Sequence, residues 1–242
     1  MTILVVGATG ATGHRLVSQL LERNERVRAV VRAPESLPAA LRGHSSLELV
    51  HASLLDLDEA ALQRTVAGCS AIASCLGHRM NFKGIYGPPR RLVTDATRRL
   101  CHAVQASAPQ QPIRFVLMNT AAVRDRAREK PFSLAERGLF GVIRALLPPH
   151  ADNEDAAAWL HANITQGHGM IEWAIVRPDS LIEEDDVTDY RIHPSPVRSP
   201  LFDAGKTSRI NVARFMAELA TEDDTWQAWR WNMPVIYNPG FS

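Results

Sequence analysis

The first thirteen residues restrict this chain more than any other feature: Met1-Thr-Ile-Leu-Val-Val-Gly7-Ala-Thr-Gly10-Ala-Thr-Gly13. An apolar run, Ile3 to Val6, ends in three glycines spaced three apart, and His14-Arg-Leu-Val-Ser-Gln-Leu-Leu21 follows with helical periodicity. A buried strand, a glycine turn and a helix N-terminus together hold a dinucleotide pyrophosphate. In this arrangement Gly7 permits the tight turn and Gly10 lets backbone N–H groups approach the phosphates. Gly13 lets the helix pack close to the strand, with its positive dipole end on the anion. The spacing is G-x-x-G-x-x-G, a variant of the G-x-G-x-x-G fingerprint. A bare glycine turn would not be followed on schedule by a helix and a second strand.

The end of that second strand, Val27-Arg-Ala-Val-Val-Arg32, selects among dinucleotides. An acid there would accept a hydrogen bond from the ribose 2′-hydroxyl of NAD, whereas an arginine suits a 2′-phosphate. Arg32 lies nineteen residues after Gly13, the spacing that role requires. Glu35 is near but follows Pro34 and is expected to point to solvent. NADP(H) is therefore expected in preference to NAD(H).

Apolar strands and helical patterns continue to alternate, the mark of a doubly wound parallel sheet. Strands are expected at Leu47–Val50, Ala71–Leu76, Ile113–Met118, Ile171–Val176 and Val235–Tyr237. Helices are expected over Asp58–Val66, Arg90–Gln105 and Asn211–Ala220. The fold class is thus α/β, a Rossmann-type single domain over residues 1–242, with C-terminal insertions on the substrate side. A net charge of +1 gives no bulk attraction to nucleic acid or membrane, and no apolar stretch approaches the ~20 residues of a membrane span. Cys69, Cys75 and Cys101 lack C-x-x-C spacing and read as buried thiols in a reducing, cytoplasmic compartment. The nine histidines show no metal-ligand spacing, so no metal is expected.

In such a sheet the chemistry lies at the carboxyl ends of the strands. Those ends carry Arg32, Ser53-Leu54, Leu76-Gly77-His78-Arg79, Asn119-Thr120 and Arg177-Pro178-Asp179-Ser180. Few strong acid–base groups are among them. Thr120 reads equally as a catalytic hydroxyl or as a threonine closing a strand-to-loop turn.

Several of these segments resemble the atypical short-chain dehydrogenase/reductase superfamily: Gly7-Ala-Thr-Gly-Ala-Thr-Gly13, Val30-Val-Arg32, Thr65-Val-Ala-Gly68, Leu76-Gly77, Arg114-Phe-Val and Ala174-Ile-Val-Arg-Pro178. More narrowly they are similar to its NAD(P)H-binding, NmrA-like group, which includes the biliverdin reductase B-type flavin reductases. The resemblance implies that Gly7, Thr9, Gly10, Ala11, Thr12 and Gly13 wrap the pyrophosphate. Arg32 would hold the 2′-phosphate, and Ser53 and Leu54 would border the adenine. Leu76, Gly77 and Arg79 would line the nicotinamide side. Asn119, Thr120 and Pro178 would lie beside the nicotinamide ribose and its pocket.

Departures from the family pattern narrow the chemistry. The superfamily's usual Tyr-x-x-x-Lys pair is missing: Arg90, Pro194 and Phe241 stand four residues after Tyr86, Tyr190 and Tyr237. Ser53 replaces the usual aspartate near the adenine. Asn153 and Ser180 stand where the biliverdin-type site has histidines, which makes Asn153, with Thr120, a candidate catalytic residue. Hydride transfer to a planar acceptor such as a flavin or quinone needs positioning more than a proton relay. The competing expectation is a regulatory protein that senses NADP(H) without consuming it. The expected partner is a small molecule, planar or anionic, and the expected state is a monomer or homodimer.

The segment from Lys130 to Asp155 is an addition to the family pattern. Leu139, Phe140, Ile143, Leu146 and Leu147 recur at helical spacing, which favours an extra packed helix over a lid or a subunit contact. Pro148-Pro149-His150 is expected to stop it and Ala151 to begin another helix, with acids in its first turn. Asp152, Asn153 and Glu154 would then face the substrate or act as capping residues.

Overall fold

The chain starts in β1 (Thr2–Val6), where Ile3, Leu4 and Val5 are fully buried, and turns at Gly7 into α1 (Gly13–Glu22). Described here is a computed structural model covering residues 1–78, 81–131, 133–167 and 169–240. In α1 Leu16, Val17, Leu20 and Leu21 form one apolar stripe and pack on the sheet, as 3.6-residue spacing requires. The chain then winds outward through β2 (Arg26–Val31), the short α2 (Ala39–Arg42) and β3 (Leu47–His51).

It returns through α3 (Glu59–Val66), which Asp58 caps by accepting from the Ala61 N–H at 2.7 Å. β4 (Ala71–Ser74) then pairs with the other side of β1. α4 (Phe82–Tyr86), α5 (Leu92–Ser107) and β5 (Ile113–Met118) follow, then α6 (Leu134–Leu146), α7 (Pro148–Asn163) and β6 (Ile171–Pro178). The remaining elements are β7 (Ser180–Ile182), β8 (Arg191–His193), β9 (Lys206–Ser208), α8 (Arg209–Thr221), α9 (Asp223–Trp229) and β10 (Val235–Tyr237).

The main sheet runs in the order β3-β2-β1-β4-β5-β6-β10-β8 and is parallel except for β8, which pairs antiparallel with β10. β7 and β9 form a separate two-stranded parallel sheet. Side chains alternate along each strand, so one strand feeds two cores. Ile3 and Val5 join α1 and α8 on one face, while Leu4 and Val6 join α3, α5 and α7 on the other. The winding reverses between β1 and β4, which opens a crevice at their carboxyl ends. The fold is the expected single-domain Rossmann-type α/β sheet.

Three local expectations are corrected. The fourth strand ends at Ser74, and Cys75-Leu76 belongs to the loop beyond it. Pro148 and Pro149 do not merely stop a helix; they open α7, where a missing N–H costs nothing in the first turn. Asp152 to Glu154 therefore lie past that first turn. The extra helix α6 is not packed along its whole apolar pattern: Phe140 is buried, stacked on His150, while Leu139, Val142 and Leu146 are exposed.

Candidate functional site

Close backbone packing at the β1–α1 turn explains its glycines. Gly7 has φ +78°, and a Cβ there would lie 2.6 Å from the Cys75 carbonyl. A Cβ on Gly13 would lie 2.1 Å from the Gly7 oxygen, so only glycine lets α1 begin this near the strand. Gly10 is less crowded, with a 3.2 Å approach to the same oxygen, and its N–H donates to it at 2.9 Å. The N–H groups of Ala11 and Thr12 donate to no backbone carbonyl among the described residues, and the Thr12 hydroxyl is buried without a partner. A helix N-terminus with unspent N–H donors is an anion site.

Beside this turn runs a groove of about 560 Å³, within the range of small-molecule sites. Gly7, Thr9 and Gly10 form its centre, Arg32, Ser53 and Leu54 one end, and Leu76 and Gly77 the other. Arg32 follows β2 directly. Its backbone oxygen meets the His51 ring at 2.9 Å, while its exposed guanidinium has no partner among the described residues. Glu35 is exposed, as expected. A glycine cradle that any Cβ would obstruct, a helix N-terminus and a free guanidinium fit a phosphorylated dinucleotide. Ala11, Thr12 and Gly13 continue the turn into α1; Arg79 lies outside the described residues.

At the ends of β5 and β6 the polar groups hold one another. The Asn119 side chain accepts from the Thr120 N–H at 2.9 Å and donates to the Asn153 backbone oxygen at 3.0 Å. The Thr120 hydroxyl accepts from the Ala122 N–H at 3.3 Å, the turn-closing geometry that sequence left open. Pro178 is buried at the end of β6 and its carbonyl accepts from Ala121. Asn119, Thr120, Asn153 and Pro178 are thus gathered at one place, though none lines the groove.

Asp152 has a different role from its neighbours. Its carboxylate accepts from the N–H groups of Val93 (2.8 Å) and Thr94 (2.9 Å), and so caps α5 from a distant helix. The same carboxylate lies 2.8 Å from His78 Nε2, and His78 Nδ1 lies 3.2 Å from the Gly84 oxygen. Burial alone would raise the Asp152 pKa, but the hydrogen bonds from His78, Thr94 and Val93 outweigh it and hold the carboxyl below its ordinary value. Of the two roles sequence allowed, capping is the one seen, but the helix capped is α5 rather than its own.

Two features carry no sequence signal strong enough to single them out. Arg177 is fully buried: Nε donates to the Met233 oxygen (2.7 Å), Nη1 to the Val123 oxygen (2.8 Å) and Nη2 to Glu129 Oε1 (2.5 Å). These bonds pin the loop that begins at Asn119 against β6. Asp179, next to Pro178, accepts from the Gly205 N–H at 2.9 Å, and burial pushes its carboxyl above the usual range.

Two of the three tyrosines are engaged elsewhere, and the buried Tyr237 hydroxyl has no hydrogen-bond partner among the described residues. The Tyr86 hydroxyl donates to the Leu146 oxygen and that of Tyr190 to Glu218, while burial pushes the Tyr237 hydroxyl up to about 12. Cys69, Cys75 and Cys101 are free and buried, as expected. Trp226 packs into the core beside α8 and donates to Glu172 at 2.7 Å. Among the described residues no helix is long and apolar enough to cross a membrane.

Comparison with known proteins agrees with this geometry. Residues 7–223 match the NAD(P)H-binding family. The chain is 30% identical over 195 residues to an isonitrile lipopeptide synthase of Streptomyces coeruleorubidus, covering 72% of this chain but only 12% of that protein's length. It is 26% identical over 225 residues to an uncharacterized chloroplastic protein of Arabidopsis thaliana, covering 92% of this chain and 73% of that one. A short-chain dehydrogenase/reductase from Veillonella parvula, solved in complex with NADP, superposes with a TM-score of 0.70 at 16% identity, covering 99% of this chain and 95% of that one. With its groove, glycine turn and matched residues in agreement, the chain belongs to the NAD(P)H-binding family.

Proposed function

We propose that the chain is an NADP(H)-dependent oxidoreductase that passes hydride to a planar acceptor such as a flavin or quinone. The observation that carries this reading is the state of the polar groups at the ends of β5 and β6. The Asn119 side chain is bonded to the Thr120 N–H and the Asn153 backbone oxygen, and the Thr120 hydroxyl accepts from the Ala122 N–H, so this corner is built as a fixed wall rather than a proton relay. Such a wall suits a reaction that needs two ring systems held in register.

In this reading the Gly7–Gly13 turn and the α1 N-terminus hold the diphosphate, Arg32 the 2′-phosphate, and Ser53 and Leu54 border the adenine. Leu76 and Gly77 flank the nicotinamide, which when bound supplies the hydride. Thr120 and Asn153 then act by shaping the acceptor pocket. The absent Tyr/Lys pair argues against carbonyl reduction by the superfamily's usual route.

NADPH consumption with a panel of flavins and quinones, followed by loss of the reduced cofactor's absorbance, tests the proposal. Turnover with any member supports it. Tight NADPH binding with no turnover on any of them refutes it in favour of an NADP(H)-sensing regulatory protein.

A further inference from the structure

A second groove, of about 700 Å³, shares no lining residue with the first. The helix α7 separates them. Its Asp152 turns toward the start of α5, whose Leu92 lines the cofactor groove, while Glu154, Ala157 and Ala158 turn to the second groove. The loop 123–131 and α6 complete the walls. The floor is apolar and firmly packed: Val123, Phe140, Ala157 and Met233 are all buried. One wall is preorganised, because Arg177 and Glu129 fasten the loop to β6.

The rim is cationic, with four arginines against the single carboxylate of Glu154. Two of the four are spoken for. Arg144 pairs with Glu154 and Asp155, and Arg124 donates to the Glu129 oxygen. Arg126 and Arg137 are exposed and have no hydrogen-bond or ion-pair partner among the described residues. Of the acids nearest them in sequence, Glu129 is committed to Arg177 and the Asp125 N–H and Glu136 to Ser133 and Ser199, while Asp125 is buried, accepts from the Ala127 N–H at 3.0 Å and lies 3.9 Å from His161 on the groove wall. Two unneutralised guanidiniums over a buried apolar floor favour one ligand class, since a neutral apolar molecule would leave the arginines unused and an inorganic ion would leave the floor uncovered.

We propose that this groove binds an amphipathic small-molecule anion. Its apolar chain or ring lies on Val123, Ala157 and Met233, and its carboxylate, sulfonate or phosphate is held by Arg126 and Arg137. The site stands apart from hydride transfer and does not depend on the acceptor proposed above.

Fluorescence titration of the full chain with anilinonaphthalene sulfonate, in saturating NADP⁺ so that the first groove is filled, tests this. The dye is expected to bind, and the double variant Arg126→Ala/Arg137→Ala to weaken it by roughly 10- to 100-fold, as loss of charge-assisted hydrogen bonds implies. Ala158→Trp, which fills the groove without changing its charge, is expected to abolish binding. Decanoate or decyl phosphate should displace the dye and decanol should not. Unchanged affinity in the arginine variant, no dye binding in saturating NADP⁺, or equal displacement by decanol would each overturn the proposal. Both arginines are exposed, so an unaltered unfolding midpoint in that variant keeps a loss of binding interpretable.

Discussion

Replacing Arg177 by Met should destabilise the protein far more than an average core substitution. The side chain is fully buried and makes three hydrogen bonds, to Met233, Val123 and Glu129, and its partner Glu129 is only 9% exposed. Methionine fills much the same volume, so the penalty is electrostatic: a buried carboxylate loses its counter-charge and two carbonyls lose their donor. Breaking a buried pair from one side costs about 3–5 kcal/mol. With a urea dependence of about 3 kcal/mol per molar for a chain this long, the midpoint should fall by roughly 1 to 1.7 M. Tryptophan fluorescence during urea unfolding reads this directly, because Trp173 lies on the same strand. Adding Glu129→Gln removes the stranded charge, so the double variant should regain about 2 kcal/mol relative to the Arg177→Met single. If the single variant loses less than about 1 kcal/mol, or the double loses the sum of the two singles, the tether between β6 and the loop is not electrostatic.

Arg32→Ala should weaken NADPH binding by about 10- to 100-fold and leave NADH binding nearly unchanged; equal losses in a titration would remove the 2′-phosphate assignment. Gly13→Ala forces a Cβ to 2.1 Å from the Gly7 oxygen and should abolish cofactor binding, while Gly10→Ala, at 3.2 Å, should leave the fold intact in a thermal melt. Asp152 has a depressed pKa in the folded state, so its stabilisation is present above its unfolded value near 3.8 and is lost as pH falls through the folded value. Asp152→Asn should therefore be less stable than the parent at pH 6, with the gap narrowing below about pH 4 in urea titrations. Burial raises the thiols of Cys69 to about 11 and of Cys75 to about 12, so iodoacetamide at mildly alkaline pH should label neither until the protein unfolds.

The sheet and the first groove were legible because their signals are local. The apolar run Ile3–Val6, the glycine spacing and Arg32 each act within about thirty residues, and each follows from local pattern or backbone sterics. Features built from distant partners were not legible. Nothing near Asp152 announces that it caps a helix starting 60 residues earlier, because the cap is made across α5 and α7. Arg177 looked like the end of an apolar strand, and its partner Glu129 sits in a loop without periodicity. In α6 the apolar spacing was read correctly as helical, but spacing does not say how much of a face is covered, and only Phe140 is. Pro148 was read as a terminator although proline equally begins helices, and the chain uses it that way.

The cap on α5 also decides which helix terminus is open to a bound phosphate. Two helices begin near the crevice, α1 and α5, and either could in principle receive a phosphate. The chain's own Asp152 already occupies the α5 terminus and accepts the Val93 and Thr94 N–H groups that a phosphate would need. In the proposed reading the Gly7–Gly13 turn is then the terminus that takes the diphosphate, with Arg32 to one side of it and Leu76 and Gly77 to the other. A carboxylate from a distant helix thus spends the donors of one helix terminus and leaves those of the other, at Ala11 and Thr12, free for a ligand.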